Sequence, residues 1–289
     1  MKLPRYRTGD DELDERIAGL VEQVSEPDDA DLIFELVASS LRLARDLAAA
    51  MAARDWMVVT GAGPGIMEAG IEGAGVDNAF GVSIELPFET TTSQFIADDP
   101  KLINFRYFFT RKLEFIKESD AFVLLPGGYG TLDEAFELLT LLQTGKAQPA
   151  PVIMLDVPGG TYWERWGAFV EHELERSNYV SHDDDHLFCV TDSIETAVGE
   201  ILGFYDNYHS QRFVKGRLVM RLRRAPSADE MIVLNRDFAD IITRGKMEVI
   251  TATAEEIADN DHVDLARVAF RFDRHGWARL RMLIDRFNA

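Results

Sequence analysis

Cysteine is nearly absent from this chain of 289 residues, and basic residues are scarce beside acidic ones. The single cysteine, Cys189, excludes a disulfide framework within one chain and a cysteine-rich zinc module. No run of about 18 uninterrupted apolar residues occurs, so no membrane-spanning helix is predicted. The first residues lack the apolar core and cleavage site of a secretory signal, which favours the cytoplasm. The composition, with 46% hydrophobic residues, is typical of a folded globular protein.

Charge is unevenly distributed along the chain. There are 30 Lys and Arg against 50 Asp and Glu, a net charge of -20. Residues 1–210 carry a net charge of -23, whereas residues 211–289 carry +3. The acidic part would repel phosphate backbones, so nucleic-acid binding is not expected. The step near residue 210 predicts a boundary between two folding units, the alternative being a dedicated basic binding surface.

Short apolar runs alternate with helical patterns from residue 31 to about residue 210. This alternation predicts a Rossmann-like doubly wound parallel sheet, an α/β fold with helices on both faces. Residues 1–30 are predicted to form an acidic arm or helix, and residues 211–289 a small α+β appendage. Strands are predicted at 56–60, 80–86, 121–125, 152–157, 187–190, 217–223, 247–251 and 266–272, and helices at 31–54, 66–74, 100–119, 131–144, 163–176, 193–208, 229–242 and 277–287.

A first glycine turn joins the strand at 56–60 to the following helix. Its glycines are Gly61, Gly63 and Gly65, and Met67 follows them. Ligands bind at the carboxyl ends of strands in such sheets, where a helix amino terminus attracts anions. The alternating glycines partly resemble a dinucleotide fingerprint, for which Glu85 would be the acidic residue, but that signal alone is weak.

A second turn, Pro126-Gly-Gly-Tyr-Gly-Thr-Leu-Asp-Glu134, is more specific. Three glycines allow the backbone to approach a ligand closely, and Thr131 can cap the helix or bind a phosphate oxygen. Thr131 and Glu134 also match a capping box, which would be a purely structural role. A capping box explains neither the glycines nor the proline, so a phosphate loop is the better interpretation.

A third element is the pair Arg111-Lys112 on an aromatic-rich segment that precedes the strand at 121–125. On spacing alone, a solvated charged face is the simpler interpretation of the two cations. The aromatic run at 105–109 is equally consistent with core packing and with a subunit interface.

Taken in order, these three elements resemble the LOG family, cytokinin-activating phosphoribohydrolases once labelled lysine decarboxylases. The family signature PGGxGTxxE is matched from Pro126 to Glu134, and the glycine turn with its trailing Met67 and the Arg111-Lys112 pair precede it. The resemblance covers about residues 47–205. It implies hydrolysis of the N-glycosidic bond of a nucleoside 5′-monophosphate, without cofactor or metal, in a homodimer or higher homo-oligomer.

The resemblance also implies residue roles. Glu134 and Arg111 would be the catalytic pair, since a carboxylate can stabilise the positive charge that develops at the ribose C1′ and activate water. Arg111 stays cationic, so it would anchor phosphate or ribose or hold Glu134. The substrate-binding residues implied or weighed are Lys112, Gly127, Gly128, Tyr129, Gly130, Thr131, Asp133, Gly61, Gly63, Gly65, Met67, Glu89 and Thr140.

One departure from the family concerns the start of the sheet. Members usually begin with a strand that ends in Gly-Ser, whereas residues 31–54 here are predicted to form one unbroken helix. Another element replaces that strand, or a segment is missing near Asp46-Leu47. The alternative function is therefore a binding protein of the same fold that holds a nucleotide or phosphorylated cofactor without cleaving it.

Two other chemistries are disfavoured. A pyridoxal-phosphate decarboxylase needs a Schiff-base lysine, and no core-domain lysine lies in a recognisable cofactor context. His182 and His186, four residues apart, could ligate a metal on a helix, but the segment is predicted to be a solvated polar loop.

Overall fold

The computed structural model describes residues 30–84 and 93–289. Nearly all of the predicted acidic arm lies outside the described residues, as do Glu85 and Glu89. The helices are α1 (Ala30–Ala52), α2 (Ile66–Ala74), α3 (Phe108–Lys117), α4 (Tyr129–Gln143), α5 (Tyr162–Phe169), α6 (Ile194–Phe204), α7 (Ala228–Asp237), α8 (Ala254–Asp259) and α9 (Trp277–Asn288). The strands are β1 (Val58–Thr60), β2 (Ala79–Ile84), β3 (Leu102–Phe105), β4 (Phe122–Leu124), β5 (Val152–Leu155), β6 (Cys189–Thr191), β7 (Tyr208–Val214), β8 (Arg217–Leu222), β9 (Ile242–Ile250) and β10 (Ala266–Phe272).

Parallel strands with helices around them confirm the predicted Rossmann-like fold. One three-stranded sheet has the order β1-β2-β3 and a second has the order β4-β5-β6. All four pairings within them are parallel. The two sheets correspond to the halves 3-2-1 and 4-5-6 of a doubly wound order. However, β1 and β4 are not hydrogen-bonded to each other, so the described sheet consists of two halves.

The predicted helix over residues 100–119 is wrong in its first part. Residues 102–105 form β3, which pairs with β2 from Gly81 opposite Leu102 to Ile84 opposite Phe105. The helix begins only at Phe108. Pairing with β2 outweighs the local helical pattern here, because a local pattern carries no information about a strand that is distant in sequence.

Helix α1 covers one face of the sheet with apolar side chains of its carboxyl-terminal half. Leu43, Leu47 and Met51 are buried against β5 and α6. α2 packs on α1 so closely that a Cβ at Gly73 would overlap the backbone of Arg45. None of the described helices is long and apolar enough to cross a membrane.

The carboxyl-terminal part is an antiparallel sheet of order β7-β8-β10-β9 with helices against it, which confirms the α+β appendage. The sequence patterns missed β7, whose polar residues hide its strand period, and the short helix α8. Helix α9 joins this part to the parallel sheets. Ala278 packs with Leu138 of α4, and Arg281 forms an ion pair with Glu200 of α6 at 2.5 Å.

A buried ion cluster holds α8 on this antiparallel sheet. Glu256 is fully buried and accepts hydrogen bonds from Arg221 Nε at 2.9 Å and Arg267 Nε at 3.0 Å. Arg221 also reaches Asp261 at 2.5 Å. Burial opposes ionisation, but hydrogen bonds from Thr253 and the two arginines hold the pKa of Glu256 below its usual value. The carboxylate therefore neutralises two buried cations.

We expect Glu256→Gln to lower the free energy of unfolding by about 3–5 kcal/mol, because it leaves buried arginines without their counter-charge. The lowered pKa places this contribution above the usual glutamate range, and it is lost as the pH falls through the folded-state pKa. Urea unfolding measures the difference. Asp237→Asn, which breaks the exposed pair with Arg236, is the control and should leave the free energy of unfolding nearly unchanged, because exposed ion pairs contribute little. Equal losses in both variants would contradict the prediction.

Candidate active site

Both glycine turns open onto one cavity of about 630 Å³ at the carboxyl ends of β1 and β4. This is the point where strand order reverses, the usual ligand position in such folds. The first turn contributes Gly61, Gly63 and Met67; the second contributes Gly130, Thr131 and Glu134, and α3 contributes Arg111.

Two cations flank the Glu134 carboxylate. Arg111 Nη2 lies 3.8 Å from Glu134 Oε1, and Lys112 Nζ lies 3.9 Å from Glu134 Oε2. Lys112 is 8% exposed and also contacts Asp133 at 2.5 Å and Glu137 at 2.8 Å. The solvated-face interpretation is therefore wrong for Lys112, which joins α3 to the first turns of α4.

The surroundings of this group raise the pKa of Glu134 and keep Lys112 cationic. Burial raises the pKa of Glu134, and the charges of Lys112 and Arg111 partly offset that rise. Burial alone would lower the pKa of Lys112, but bonds to Asp133 and Glu137 and the charge of Glu134 raise it. Lys112 thus stays cationic, while Glu134 is a stronger base than an ordinary glutamate.

The aromatic neighbours of Arg111 hold its guanidinium over the cavity. Its central carbon lies 5.3 Å from the ring centre of Phe108 and 5.9 Å from that of Phe115. Both rings also line the cavity, as do Ser83 and Asn104, whose side chains hydrogen-bond each other. The sequence patterns assigned none of these four residues to the site, and Asn104 was missed because β3 was predicted to be helical. A strand prediction at 102–105 was the signal needed.

Helix α4 begins two residues earlier than predicted, and this removes the capping-box interpretation. Its N-cap is Gly128, without a side-chain cap from the described residues, and Thr131 lies inside the first turn. A Cβ at Gly127 would overlap Oγ1 of Thr131, so the hydroxyl lies against the loop. The helix amino terminus keeps backbone N–H groups for an anion.

The glycine loop is linked to the end of β5 by contacts that the sequence motifs did not predict. Tyr162 donates its hydroxyl hydrogen to the carbonyl oxygen of Gly127 at 2.7 Å. The buried carboxylate of Asp156 accepts the backbone N–H groups of Tyr162 at 2.7 Å and Trp163 at 3.2 Å. An aspartate just after an apolar strand, followed by a glycine pair and an aromatic, was the available signal.

Met67 folds back over the first glycine turn. A Cβ at Gly61 would lie 2.5 Å from its sulfur, and a Cβ at Gly63 would lie 2.6 Å from its terminal methyl. Gly65 has a φ of 79°, a conformation that favours glycine. These glycines therefore make room for Met67 as well as for a ligand.

Some predicted residues lie at the edge of this arrangement or away from it. Tyr129 is 94% exposed beside the loop. Thr140 donates its hydroxyl hydrogen to the carbonyl of Phe136 at 2.7 Å and does not line the cavity. The segment His182–Leu187 forms a short 3₁₀ helix rather than a loop, and His182 Nδ1 lies 2.6 Å from Glu175.

Comparisons with known proteins place this geometry in context. The family model described as "Possible lysine decarboxylase" matches residues 60–201. A cytokinin riboside 5′-monophosphate phosphoribohydrolase of Arabidopsis thaliana is 36% identical over 91 residues, 32% of this chain and 41% of the relative. The resemblance to the LOG family is confirmed.

Two further LOG relatives match over similar lengths. A second Arabidopsis thaliana phosphoribohydrolase of the same name is 45% identical over 65 residues, 22% of this chain and 29% of the relative. A probable one from Oryza sativa subsp. japonica is 41% identical over 78 residues, 27% of this chain and 33% of the relative. The chain thus spans less than half the length of these relatives.

We expect Lys112→Met to raise the pKa of Glu134 further, because it removes a positive charge that favours the ionised carboxyl. A ¹³C NMR titration of the Glu134 side chain measures the change. Lys117→Met is the control, since Lys117 is exposed and pairs with Glu118. An unchanged or lowered pKa in Lys112→Met would contradict the assigned electrostatics.

We expect Tyr162→Phe to loosen the glycine loop without disturbing the fold. The lost hydrogen bond is worth about 0.5–1.5 kcal/mol, so amide exchange at Gly128 and Gly130 should quicken by roughly 2- to 10-fold. The ring contact with Trp163, 4.8 Å between centres, is retained. Tyr179→Phe, at an exposed tyrosine, should leave loop exchange unchanged. Equal exchange in wild type and Tyr162→Phe would show that the contact does not restrain the loop.

Proposed function

We propose that this chain hydrolyses the N-glycosidic bond of nucleoside 5′-monophosphates to free base and ribose 5-phosphate. The observation that carries the proposal is the half-buried Glu134 carboxyl, which lies between Arg111 and Lys112 beside the glycine loop that begins α4. Its LOG relatives are named as phosphoribohydrolases of cytokinin riboside 5′-monophosphates, which supports a hydrolase of this family.

Glu134 would act at the ribose C1′. As the bond to the base breaks, positive charge develops at C1′, and the carboxylate stabilises it. The same carboxylate accepts a proton from the attacking water, whose oxygen bonds to C1′, while the base leaves with the bonding electron pair. The base takes up a proton from solvent, and Glu134 releases the proton that it accepted to solvent. The raised pKa of Glu134 makes its carboxylate a better proton acceptor than an ordinary glutamate.

The glycine loop and its flanking cations would bind the 5′-phosphate. Gly127–Thr131 supplies backbone N–H groups and a hydroxyl at the amino terminus of α4. Arg111, held over the cavity, would anchor phosphate or ribose oxygens. Lys112 is occupied by Asp133 and Glu137, so its role would be to position Glu134.

The first glycine turn would form the base side of the pocket, with Met67 against the base. AMP and cytokinin riboside monophosphates are the substrates to compare. A homo-oligomer stays a prediction, supported by the exposure of Tyr107 at 54%, Phe108 at 51% and Phe109 at 70%, which rules out the core interpretation for these rings. The cytoplasmic location stays a prediction as well.

One observation favours the alternative, a protein that binds nucleotide without cleaving it. The described sheet is divided between β1 and β4, beside the base side of the pocket. If the base side of the pocket does not hold the base, phosphate can bind without productive orientation of C1′. Chromatographic assay of base release from a panel of nucleoside 5′-monophosphates separates the two functions.

Base release from a monophosphate, but not from the matching nucleoside, is the expected outcome. In Glu134→Gln we expect nucleotide affinity to stay within about 3-fold and turnover to fall by at least about 100-fold, because the amide neither carries charge nor accepts the water proton. Glu118→Gln, at an exposed glutamate, is the control. Binding without release from any monophosphate would favour the alternative, and wild-type turnover in Glu134→Gln would refute the catalytic role.

A further inference from the structure

Three side chains that can bind a metal ion meet away from the candidate active site. One oxygen of Glu175, one ring nitrogen of His182 and one oxygen of Asp185 all lie within 4.8 Å of one another. None of these residues belongs to the lining of the cavity at the glycine turns. The sequence pattern pairs His182 with His186, but His186 Nδ1 lies 3.2 Å from the carbonyl oxygen of Asp183 instead. The structure therefore replaces the pair of histidines with a mixed set of one imidazole and two carboxylates.

Two short helical segments hold the backbone of these residues in place. The first is the π-helical stretch Val170–Glu175, which ends at the first of the three residues. The other two lie on the 3₁₀ helix His182–Leu187, which Ser181 and Asp184 begin with a capping box. Asp184 also accepts a hydrogen bond from Gln143 Nε2 of α4 at 2.6 Å, and the last residue of the 3₁₀ helix is buried in a cluster with α4 side chains. Only side chains therefore have to move when an ion binds.

The carboxylate of Glu175 lacks the partners that its burial requires. Its side chain is 19% exposed, and Oε1 lies 2.6 Å from His182 Nδ1. Oε2 is buried and has no hydrogen-bond partner in the part of the chain that the structure describes. Among the same residues, no lysine or arginine forms an ion pair with Glu175 or Asp185; the neighbouring Arg176 pairs with Glu171 at 3.1 Å. Because a buried oxygen without a partner is destabilising, a cation that binds this carboxylate supplies what the protein does not.

The set of donor atoms selects the kind of ion. Zn²⁺ binds imidazole nitrogen and carboxylate oxygen, and a site with three protein ligands leaves a fourth position for water. Ca²⁺ and Mg²⁺ prefer oxygen ligands alone. Ligand atoms around a tetrahedral zinc ion are roughly 3.4 Å apart, so side chains within 4.8 Å of one another must draw slightly closer. His182, whose side chain is 82% exposed, and the exposed Asp185 are free to rotate by that amount.

We propose that Glu175, His182 and Asp185 form a zinc site that fastens the 3₁₀ helix His182–Leu187 to the end of the π-helical stretch. Zinc neutralises the two carboxylates and binds the imidazole in its neutral form, and any proton on that ring nitrogen goes to solvent. Water completes the coordination. Since the 3₁₀ helix packs on α4, the bound ion stabilises the outer side of that helix. The zinc site is independent of the proposed function.

Calorimetric titration of the full chain with zinc chloride, after treatment with a chelator and its removal, measures the binding. We expect one zinc ion per chain, and a rise in Tm of about 4 °C at a zinc concentration 100 times the dissociation constant. His182→Gln should weaken zinc binding at least about 10-fold, because it removes the nitrogen ligand. This variant changes an exposed side chain and keeps the fold. His275→Gln, at an exposed histidine outside the site, is the matched control and should bind zinc as the wild type does.

Three outcomes would overturn the proposal: no zinc binding, unchanged binding in His182→Gln, or binding of magnesium or calcium chloride as tight as that of zinc. Equal weakening in both histidine variants would do the same, because it would show that zinc is scattered over surface histidines. X-ray absorption of the zinc-loaded chain should show nitrogen and oxygen ligands at about 2.0–2.2 Å; a sulfur ligand at about 2.3 Å would mean that Cys189 binds the ion instead. Zinc binding at this site without base release from any monophosphate would refute the proposed function alone, and base release without zinc binding would do the reverse.

Discussion

The buried ammonium group of Lys112 is the contact on which the arrangement of the site depends. It comes from α3 and lies within 4 Å of carboxylate oxygens of Asp133, Glu134 and Glu137 on α4. Such a cluster tolerates burial only because the charges compensate one another. The cluster holds Glu134 at the cavity, while the carboxylates of Asp133 and Glu137 lie closer to Lys112 than that of Glu134 does. Burial raises the pKa of Glu134, and the charges of Lys112 and Arg111 only partly offset that rise.

A second constraint acts on the loop that would receive phosphate. Helix α4 starts from glycine, so no side chain from the described residues occupies its first N–H groups. A glycine start is conformationally loose, and the loop is restrained instead from outside by the Tyr162 hydroxyl on Gly127. Asp156 fixes the start of α5 and, through it, Tyr162. The start of α4 thus leaves its N–H groups open to an anion, whereas Tyr162 and Asp156 keep the loop ordered.

Sequence patterns predicted these elements unevenly, for physical reasons. The alternation of strands and helices, the two glycine turns and the ordered signature with Arg111 and Glu134 were visible because each is local. β3 was missed since its strand character depends on pairing with β2, and with it the cavity residue Asn104. The Thr131–Glu134 capping box failed because glycine, not threonine, starts the helix.

The missing first strand was a sequence observation whose structural consequence could not be read from the sequence alone. A pattern shows that a strand is absent, but not where the gap lies in the sheet. Here the gap falls between β1 and β4, the centre of the sheet and the point that also forms the ligand cavity. Because Glu134 lines the same cavity as residues of both strands, the integrity of the sheet and the geometry of the candidate site are coupled.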